Sequence, residues 1–358
     1  MNKKEKNYSI HDIVTFKIID KANSISRFFS NIELEYKNFE STEINDPDLT
    51  VYLGDFTPSN QECCILDNEY YVKEDYFYCK DSYKIAKWGL EISGFESGNM
   101  EVRLSTNSSA SMIISGFIID PLIIFKMNER GYPIVHGSCV SKDNCAHLFT
   151  AQGGGGKTST ALYAVERGFN FLGDNFIIID KGYARSFLSP LNIFSFNLIP
   201  IVKRNMGIKN KVEFQLKNLL YKMTGLRIVT KINVKSVFPD SLDDKSKLES
   251  IFLLIPKEKY DIVEIDKEEL IGHMVANMKL DSFPFIKYMM EYSYMFPESM
   301  MATHWGRYEA NLGRKLSKDI TIYKVELPPR YDQKTFENIF KVMERIKIEE
   351  RGKHEIEI

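Results

Sequence analysis

Cysteine is scarce in this sequence, with five residues among 358. The number is odd and no Cys-x-x-Cys pair occurs, so the sequence predicts neither a disulfide-stapled scaffold nor a structural zinc site. We expect reduced thiols, as in cytoplasmic proteins. The cysteines are Cys63, Cys64, Cys79, Cys139 and Cys145.

Long hydrophobic runs are also missing. The most apolar stretch, Ser111–Met127, is interrupted by Asp120 and Pro121. It is shorter than the roughly 20 apolar residues that a membrane-spanning helix needs. The first residues are charged but no apolar segment follows them, which argues against a signal peptide. We therefore expect a cytoplasmic protein without a membrane partner.

Neither sign of charge is in excess, because 47 Lys and Arg face 49 Asp and Glu, a net charge of −2. Nucleic-acid-binding proteins usually carry a clear basic excess, so nucleic acid is not the expected partner. Residues 201–236 depart from this average. They hold nine basic side chains and one acid, Glu213, a local charge of +8 that leaves −10 for the remainder. The segment could attract an acidic peptide or an anionic small molecule, or be the solvated face of amphipathic helices such as Val212–Met223.

A chain of 358 residues predicts two domains. Residues 1–130 contain short β-branched and aromatic runs between turn residues, which indicates a β-rich N-terminal domain. From residue 131 the pattern becomes strand, turn, strand, loop, helix and strand, and we assign an α/β domain to residues 131–358. The clearest elements of the first domain are strands at Val51–Leu53, Tyr70–Val72 and Glu101–Leu104 and an apolar helix at Ser111–Asn128.

Four consecutive glycines followed by Lys157 and Thr158 form the most informative motif of the chain. They lie between an apolar strand, His147–Thr150, and a helical stretch, Ser159–Arg167. Glycines allow backbone N–H groups to converge on a phosphate, and the N-terminus of the following helix adds partial positive charge. The sequence meets the pattern G-x-x-x-x-G-K-[ST] except at its first position, where Ala151 replaces glycine.

This motif predicts a site for a nucleotide triphosphate. The Lys157 amine would reach the β- and γ-phosphates, and the Thr158 hydroxyl would coordinate Mg²⁺. The predicted nucleotide-binding residues are Gly153, Gly154, Gly155, Gly156, Lys157, Thr158 and Ser159.

Two further side chains could act on a bound phosphate. Asp174 lies sixteen residues beyond Thr158, at the end of an apolar strand. It could hold Mg²⁺ or accept the proton of an attacking hydroxyl, and a purely structural role in the turn Gly173–Asn175 is the alternative. His136 lies one hairpin before the glycines. It could contact the transferring phosphoryl group, or it could be structural.

The stretch Phe283–Trp305 is rich in methionine and aromatic residues. Flexible methionines suit an adaptable binding groove, but a buried pair of helices is the interpretation that we favour. Arg307 and Arg314 follow this stretch. Either guanidinium could stabilise charge on a phosphoryl group, and either could be an ordinary surface residue.

Taken together, these residues resemble the HPr kinase/phosphorylase superfamily, whose kinase core is related to phosphoenolpyruvate carboxykinase. A looser similarity includes Ser246–Lys257 as a later central strand and Asn311–Pro328 as a C-terminal strand before a last helix. The specific resemblance covers residues 136–180 and rests on His136-Gly-Ser138, the loop Ala151–Thr158, Glu166-Arg-Gly168 and Gly173-Asp-Asn175.

The resemblance implies an α/β P-loop core of the HPr-kinase and PEP-carboxykinase type, with ATP and Mg²⁺ as cofactors. It implies that Lys157 and the loop hold the phosphates, that Thr158 and Asp174 bind Mg²⁺, and that His136 lies near the phosphates. Asp174 would serve as the acid/base for the acceptor hydroxyl.

The sequence departs from the family at two places. Asn175 stands where the family has its second aspartate, and an amide cannot act as a base. The Glu-x-Arg-Gly-x-Gly stretch of true HPr kinases is absent from residues 181–236, so HPr is not the expected acceptor. The chain is more similar to divergent HPr-kinase-like proteins that accompany biosynthetic systems.

We therefore predict an ATP-dependent kinase that transfers the γ-phosphoryl group to a hydroxyl. The favoured acceptor is a serine of a peptide or protein in a biosynthetic or tailoring system. One alternative is a kinase for a sugar, an amino acid or another small molecule. The other is a nucleotide-binding regulator with little catalysis, which Ala151 and Asn175 would favour. The founding members of the family form rings, so a homo-oligomer is compatible with the resemblance.

Overall fold

The computed structural model describes residues 4–20, 32–194, 197–224, 229–328 and 335–344. The protein has a mixed α/β fold with two large sheets. Backbone contacts divide the chain into two compact units, and both units are discontinuous in sequence. Unit 1 combines Met1–Pro133 with Met278–Asn311, and unit 2 combines Ile134–Asn277 with Leu312–Ile358.

Unit 1 is built on an eight-stranded sheet of order β1-β2-β3-β8-β7-β6-β5-β4. Polar and apolar residues alternate along several strands, so one face of each is buried. The predicted strands around residues 51, 70 and 101 are confirmed. The eight strands are β1 Lys4–Ile10, β2 Val14–Asp20, β3 Leu49–Leu53, β4 Cys64–Leu66, β5 Tyr70–Lys73, β6 Tyr76–Tyr83, β7 Ala86–Ser93 and β8 Met100–Thr106.

The apolar helix predicted at residues 111–128 is wrong as a single element. It is divided into a 3₁₀ turn, Ala110–Met112, a π-helical turn, Ser115–Ile119, and helix α2, Asp120–Glu129. Pro121 lies in the first turn of α2. Proline has no N–H for a hydrogen bond to the preceding turn but fits the start of a helix, so regular α-helix begins only there.

The other helical parts of unit 1 are short or lie late in the chain. Its later segment supplies α8. One face of this helix is buried and carries Phe285, Tyr288, Met289 and Tyr292. These other helical parts of the unit are α1 at residues 32–35, a 3₁₀ turn at Lys37–Phe39, α8 at Phe283–Met295 and the first turns of α9, His304–Lys315.

Unit 2 contains a second sheet of order β10-β9-β12-β13-β16-β18-β17, with β11 paired to β9. Because β10 also pairs in parallel with β16, the strands β10, β9, β12, β13 and β16 form a closed ring. The strands are β9 Ile134–Lys142, β10 Cys145–Thr150, β11 Asn170–Gly173, β12 Phe176–Asp180, β13 Tyr183–Arg185, β16 Lys245–Pro256, β17 Asp261–Glu264 and β18 Thr321–Leu327, and β14 Leu191–Ile193 pairs separately with β15 Thr230–Ile232.

Helix α3, Lys157–Glu166, follows β10 after the glycine loop, as the sequence predicts. Its residues Ala161, Leu162 and Val165 belong to a core that includes Phe149 of β10 and Phe252 of β16. The other helices assigned to this unit, wholly or in part, are α4 Pro200–Asn205, α5 Ile208–Thr224, α6 Val234–Val237, α7 Lys267–Asp281 and α10 at residues 335–344.

Two further sequence predictions concern this unit. The central strand expected at residues 246–257 is confirmed as β16. The strand expected at residues 311–328 is confirmed only for β18, Thr321–Leu327. Residues 311–315 belong instead to the end of helix α9. No helix in the described ranges is both long and apolar enough to cross a bilayer.

Candidate functional site

The glycine loop joins the end of β10 to the start of α3 and has a backbone that other residues would strain. Gly154 has φ of +80° and Gly156, the residue that caps α3, has φ of +89°. A Cβ atom on Gly155 would lie 2.5 Å from the Cβ of Ala151. Ala151 itself does not adopt the left-handed conformation. The structure therefore accepts alanine at the first position of the motif but requires glycine later in the loop.

Lys157 is buried at the first position of α3. Its amine donates hydrogen bonds to the carbonyl oxygens of Ala151 at 2.7 Å and Gln152 at 3.3 Å. In this arrangement the Lys157 side chain folds back onto the backbone of the loop that precedes it. To reach a phosphate, the amine would exchange these two carbonyl oxygens for phosphate oxygens.

Asn277 of α7 shares one of these acceptors. Its side-chain amide donates to the carbonyl of Ala151 at 2.8 Å. Asn277 is buried, and its Oδ1 has no hydrogen-bond partner among the described residues. Sequence reasoning missed this residue, because it lies 126 positions from Ala151 and belongs to no motif.

Asp174 lies between β11 and β12 and exposes only 1% of its surface. The Thr158 hydroxyl lies 2.9 Å from both carboxylate oxygens. The Ser138 hydroxyl of β9 donates to Oδ1 of the same carboxylate, and the Ser189 hydroxyl donates to the Asp174 backbone carbonyl at 2.8 Å. The structure thus joins the helix-start threonine and the strand-end aspartate that the sequence singled out. Ser138 belongs to the motif, although the sequence pattern assigns no role to it.

Asn175, next to this carboxylate, has φ of +72°. Asparagine is one of the few residues with a side chain that tolerate this conformation. Its carbonyl accepts the Gly137 N–H at 3.1 Å, which ties the turn to β9. The turn therefore has a structural use for asparagine at this position.

His136 pairs with Phe176 across β9 and β12, and the two rings meet edge to face with centroids 6.4 Å apart. Its backbone carbonyl accepts the Thr150 hydroxyl at 2.8 Å. This bond holds the strand that precedes the glycine loop against the strand that carries the histidine.

A cavity of about 690 Å³ joins these groups. Every residue predicted for the nucleotide, metal and catalytic roles lines this cavity. Arg307 and Arg314 do not line it, and the Arg307 guanidinium donates to the Met300 carbonyl at 2.6 Å. The sequence did not single out six other lining residues, namely Tyr163, Asn192, Phe194, Asn197, Ile199 and Phe336.

The polar groups of the cavity suit Mg²⁺ better than a softer metal, because Thr158 and Asp174 offer oxygen atoms only. In the described ranges no group of three or more His, Cys, Asp or Glu side chains is arranged to hold a metal ion. A magnesium ion here would take further oxygen ligands from water and phosphate, as is usual for this ion.

Two surface predictions have different outcomes. Val212–Met223 lies within a helix, α5, as predicted. The methionine-rich stretch at residues 283–305 forms α8 and the first turn of α9 with an irregular connection. The buried interpretation is confirmed for one face of α8, while Phe283, Met290 and Tyr294 are exposed.

No family model and no curated protein matches this sequence. The structure is similar to that of the Hpr(Ser) kinase/phosphatase from Coxiella burnetii over 62% of this chain and 94% of that chain. The two sequences are 12% identical in the aligned region and the TM-score is 0.31. A likeness this distant carries no functional argument, so the site must be interpreted from its own geometry.

Proposed function

We propose that this protein is an ATP-dependent phosphotransferase, with its chemistry in the predicted kinase core, residues 131–358. The observation that carries the proposal is the convergence of the glycine loop, Lys157, Thr158 and the buried Asp174 carboxylate on one cavity. A strand, a glycine loop and a helix that begins with Lys-Thr together form a phosphate-binding unit.

The loop would hold the triphosphate of ATP through its N–H groups and the Lys157 amine. The Thr158 hydroxyl and the Asp174 carboxylate would hold Mg²⁺, which neutralises charge on the transferring phosphoryl group. The open space around Gly153 and Gly154 is consistent with close approach of a ligand to the backbone. The roles of these residues, and of Ser159 and His136 beside them, are proposals of the same kind.

Asp174 is the proposed base. Its carboxylate already accepts two hydroxyl groups, those of Ser138 and Thr158. A third hydroxyl, that of an acceptor, could donate to the same oxygens and pass its proton to them as the phosphoryl group arrives. A single carboxylate is sufficient for this step, so asparagine at position 175 does not prevent it.

We propose a serine of a peptide or protein as the acceptor, in a biosynthetic or tailoring system. The cavity is large enough for a nucleotide, and its lining includes the aromatic residues Tyr163, Phe194 and Phe336. A small-molecule kinase and a nucleotide-binding regulator with little catalysis remain the alternatives. Homo-oligomerisation and a cytoplasmic location are part of the same proposal, and nucleic acid and membranes are not proposed as partners.

The decisive experiment measures ATP binding and phosphoryl transfer separately. The wild type should bind Mg-ATP in isothermal titration calorimetry and transfer radiolabelled phosphate to members of a serine-peptide array. Asp174→Asn should still bind ATP, with a lower affinity for Mg-ATP because a proposed magnesium ligand is lost. It should lose at least 100-fold in transfer, which is the usual range for removal of a general base. Lys157→Ala should lose ATP binding.

Asp180→Asn is the matched control. Asp180 lies in the same sheet, is paired with Arg185, and does not line the cavity. It should keep both activities. Unchanged transfer by Asp174→Asn would exclude that residue as the base, and intact ATP binding by Lys157→Ala would exclude the phosphate loop. ATP binding with no transfer to any hydroxyl would favour the regulator.

A further inference from the structure

Helix α5 presents an apolar face to solvent. Five of its aliphatic side chains expose between 55% and 82% of their surface. The next charged residues around the helix are lysines. The five, which we call the α5 stripe, are Ile208, Val212, Leu216, Leu219 and Met223.

The opposite side of α5 is the one that packs on unit 2. Phe214 is buried in the core that surrounds α3, and Lys217 donates to the Val229 carbonyl at 2.8 Å. At about 100° per residue, the centre of the stripe lies roughly 160° from Phe214. The stripe is therefore not the side of α5 that packs on unit 2, because Phe214 and Lys217 already make those contacts.

The spacing of the stripe is that of a helix that packs along another helix. Val212, Leu216, Leu219 and Met223 are separated by four, three and four residues. This is the 3.5-residue repeat of a coiled-coil seam. The stripe contains leucine but no tryptophan or phenylalanine, which are two of the three residue types typical of the apolar face of helices that lie in a membrane surface.

The charges around the stripe select the partner. Lys209, Lys211 and Lys222 are exposed and form no ion pair within the described part of the chain. Glu213 is the only acid of the helix and is paired with Lys217 at 2.5 Å. Two copies of α5 would bring like charges together, so the electrostatics disfavour self-association through this face.

We propose that the α5 stripe is a docking site for an amphipathic helix of a partner protein that carries an aliphatic seam between acidic residues. The aliphatic seam would bury the stripe, and the acidic side chains would pair with the lysines along its edges. The stripe is close in the chain to the cavity. Ile199, which lines the cavity, immediately precedes α4, and two residues separate α4 from α5. This proposal concerns binding alone and does not depend on the phosphotransferase activity.

The test uses the full-length protein and a labelled synthetic helix with leucine in its seam and glutamate beside it. Fluorescence anisotropy should show saturable binding that weakens as salt is raised, because the lysines are exposed. The same peptide with lysine in place of glutamate should bind at least tenfold more weakly. Leu216→Glu with Leu219→Glu should weaken binding of the acidic peptide at least tenfold.

Ile65→Glu is the matched control, because Ile65 is as exposed as Leu219 but lies on β4 of unit 1. It should bind the acidic peptide like the wild type, and circular dichroism should show both variants folded. No binding of the acidic peptide, or equal binding of the two peptides, would overturn the proposal. So would tighter binding to vesicles that contain phosphatidylserine, or a dimer in sedimentation analysis that Leu216→Glu dissociates.

Discussion

The Asp174 carboxylate is a buried polar group that accepts hydrogen bonds from two hydroxyl groups. It is almost fully buried, and it accepts hydrogen bonds from the hydroxyl groups of Ser138 and Thr158, neither of which carries charge. A buried carboxylate without sufficient donors is strongly destabilising. The two hydroxyls therefore have a structural role in addition to any catalytic one.

Ser138→Ala should lower the free energy of unfolding by about 1–3 kcal/mol, because it removes one donor from a buried carboxylate. It should also weaken Mg-ATP binding, since Asp174 then loses a group that fixes its position. Urea denaturation and calorimetric titration measure the two effects. Ser141→Ala provides the comparison, because its equally buried hydroxyl donates to Asp243 at 2.6 Å and does not line the cavity. A nucleotide affinity that falls equally in both variants would argue against a specific role for Ser138.

The Ala151 carbonyl leads to a second prediction at this scale. It accepts from both Lys157 and Asn277, so Asn277 can satisfy it after the lysine turns to a phosphate. Asn277→Leu removes that second donor and should weaken ATP binding about tenfold, or about 1.4 kcal/mol. His273→Ala, an exposed change on the same helix, should leave the affinity unchanged. If Asn277→Leu binds ATP like the wild type, the shared carbonyl has no bearing on nucleotide binding.

At the scale of elements, α2 and α9 meet through a buried histidine. The His304 ring stacks on Phe125 with centroids 5.2 Å apart and lies 3.4 Å from the Asn128 amide. The Asn311 amide in turn donates to the Asn128 side-chain oxygen at 2.8 Å. Burial, with a smaller contribution from Arg307, lowers the pKa of His304 to about 3.

This low pKa predicts acid sensitivity. In the unfolded chain the histidine pKa is about 6.5, so between pH 6.5 and 3 the unfolded state binds a proton that the folded state does not. The free energy of unfolding should therefore fall as pH falls through this window, by about 1 kcal/mol between pH 7 and 5.5 from this group alone. His304→Phe should show a smaller loss over that interval in urea denaturation. An identical slope in the wild type and in His304→Phe would show that His304 does not cause the pH dependence.

The elements near the glycine motif could be predicted from sequence because local chemistry determines them. Gly168, with φ of +83°, ends α3, and Asp143 and Asn144 form the turn between β9 and β10 with positive φ. The division of residues 110–129 into three helical pieces was not predicted. Asp120 and Pro121 indicate an interruption, but apolar composition alone does not distinguish a π-turn from an α-helix.

Part of the site could also be predicted from local sequence. The loop, Lys157, Thr158 and Asp174 belong to one recognisable motif. Ser138 and Asn277 acquire their roles only through tertiary packing, since β9 must pair with β12 and α7 must approach β10 before either side chain meets its partner. Nothing in a linear pattern specifies those meetings.

At the scale of the whole molecule, neither unit is a continuous piece of chain. A single boundary at residue 130 separates residues 278–311 from the sheet of unit 1, but side chains of this later segment contact that sheet. The Tyr288 hydroxyl donates to Asp81 at 2.7 Å and accepts from the Trp88 indole at 3.1 Å. Tyr292 likewise accepts the Asp75 N–H at 3.0 Å.

This arrangement predicts that residues 1–133 do not form a stable domain alone. Without α8 the indole of Trp88 and the apolar face beneath it would meet water, so the fragment should lack a cooperative thermal transition and should bind a hydrophobic dye. Supplying residues 278–311 on a flexible linker should restore the transition. Calorimetry of both fragments decides the matter, and a cooperative transition of the short fragment would contradict the prediction.

The late position of α8 also imposes an order of events during synthesis. The ribosome releases the strands of unit 1 before any of residues 134–277, and all of those residues must be translated before α8 appears. At about 5–20 residues per second the wait lasts roughly 7–30 seconds. Throughout that time the residues that later contact Tyr288 and Tyr292 are not covered by α8. Chaperone binding to these residues on the ribosome is therefore expected to govern the yield of native protein.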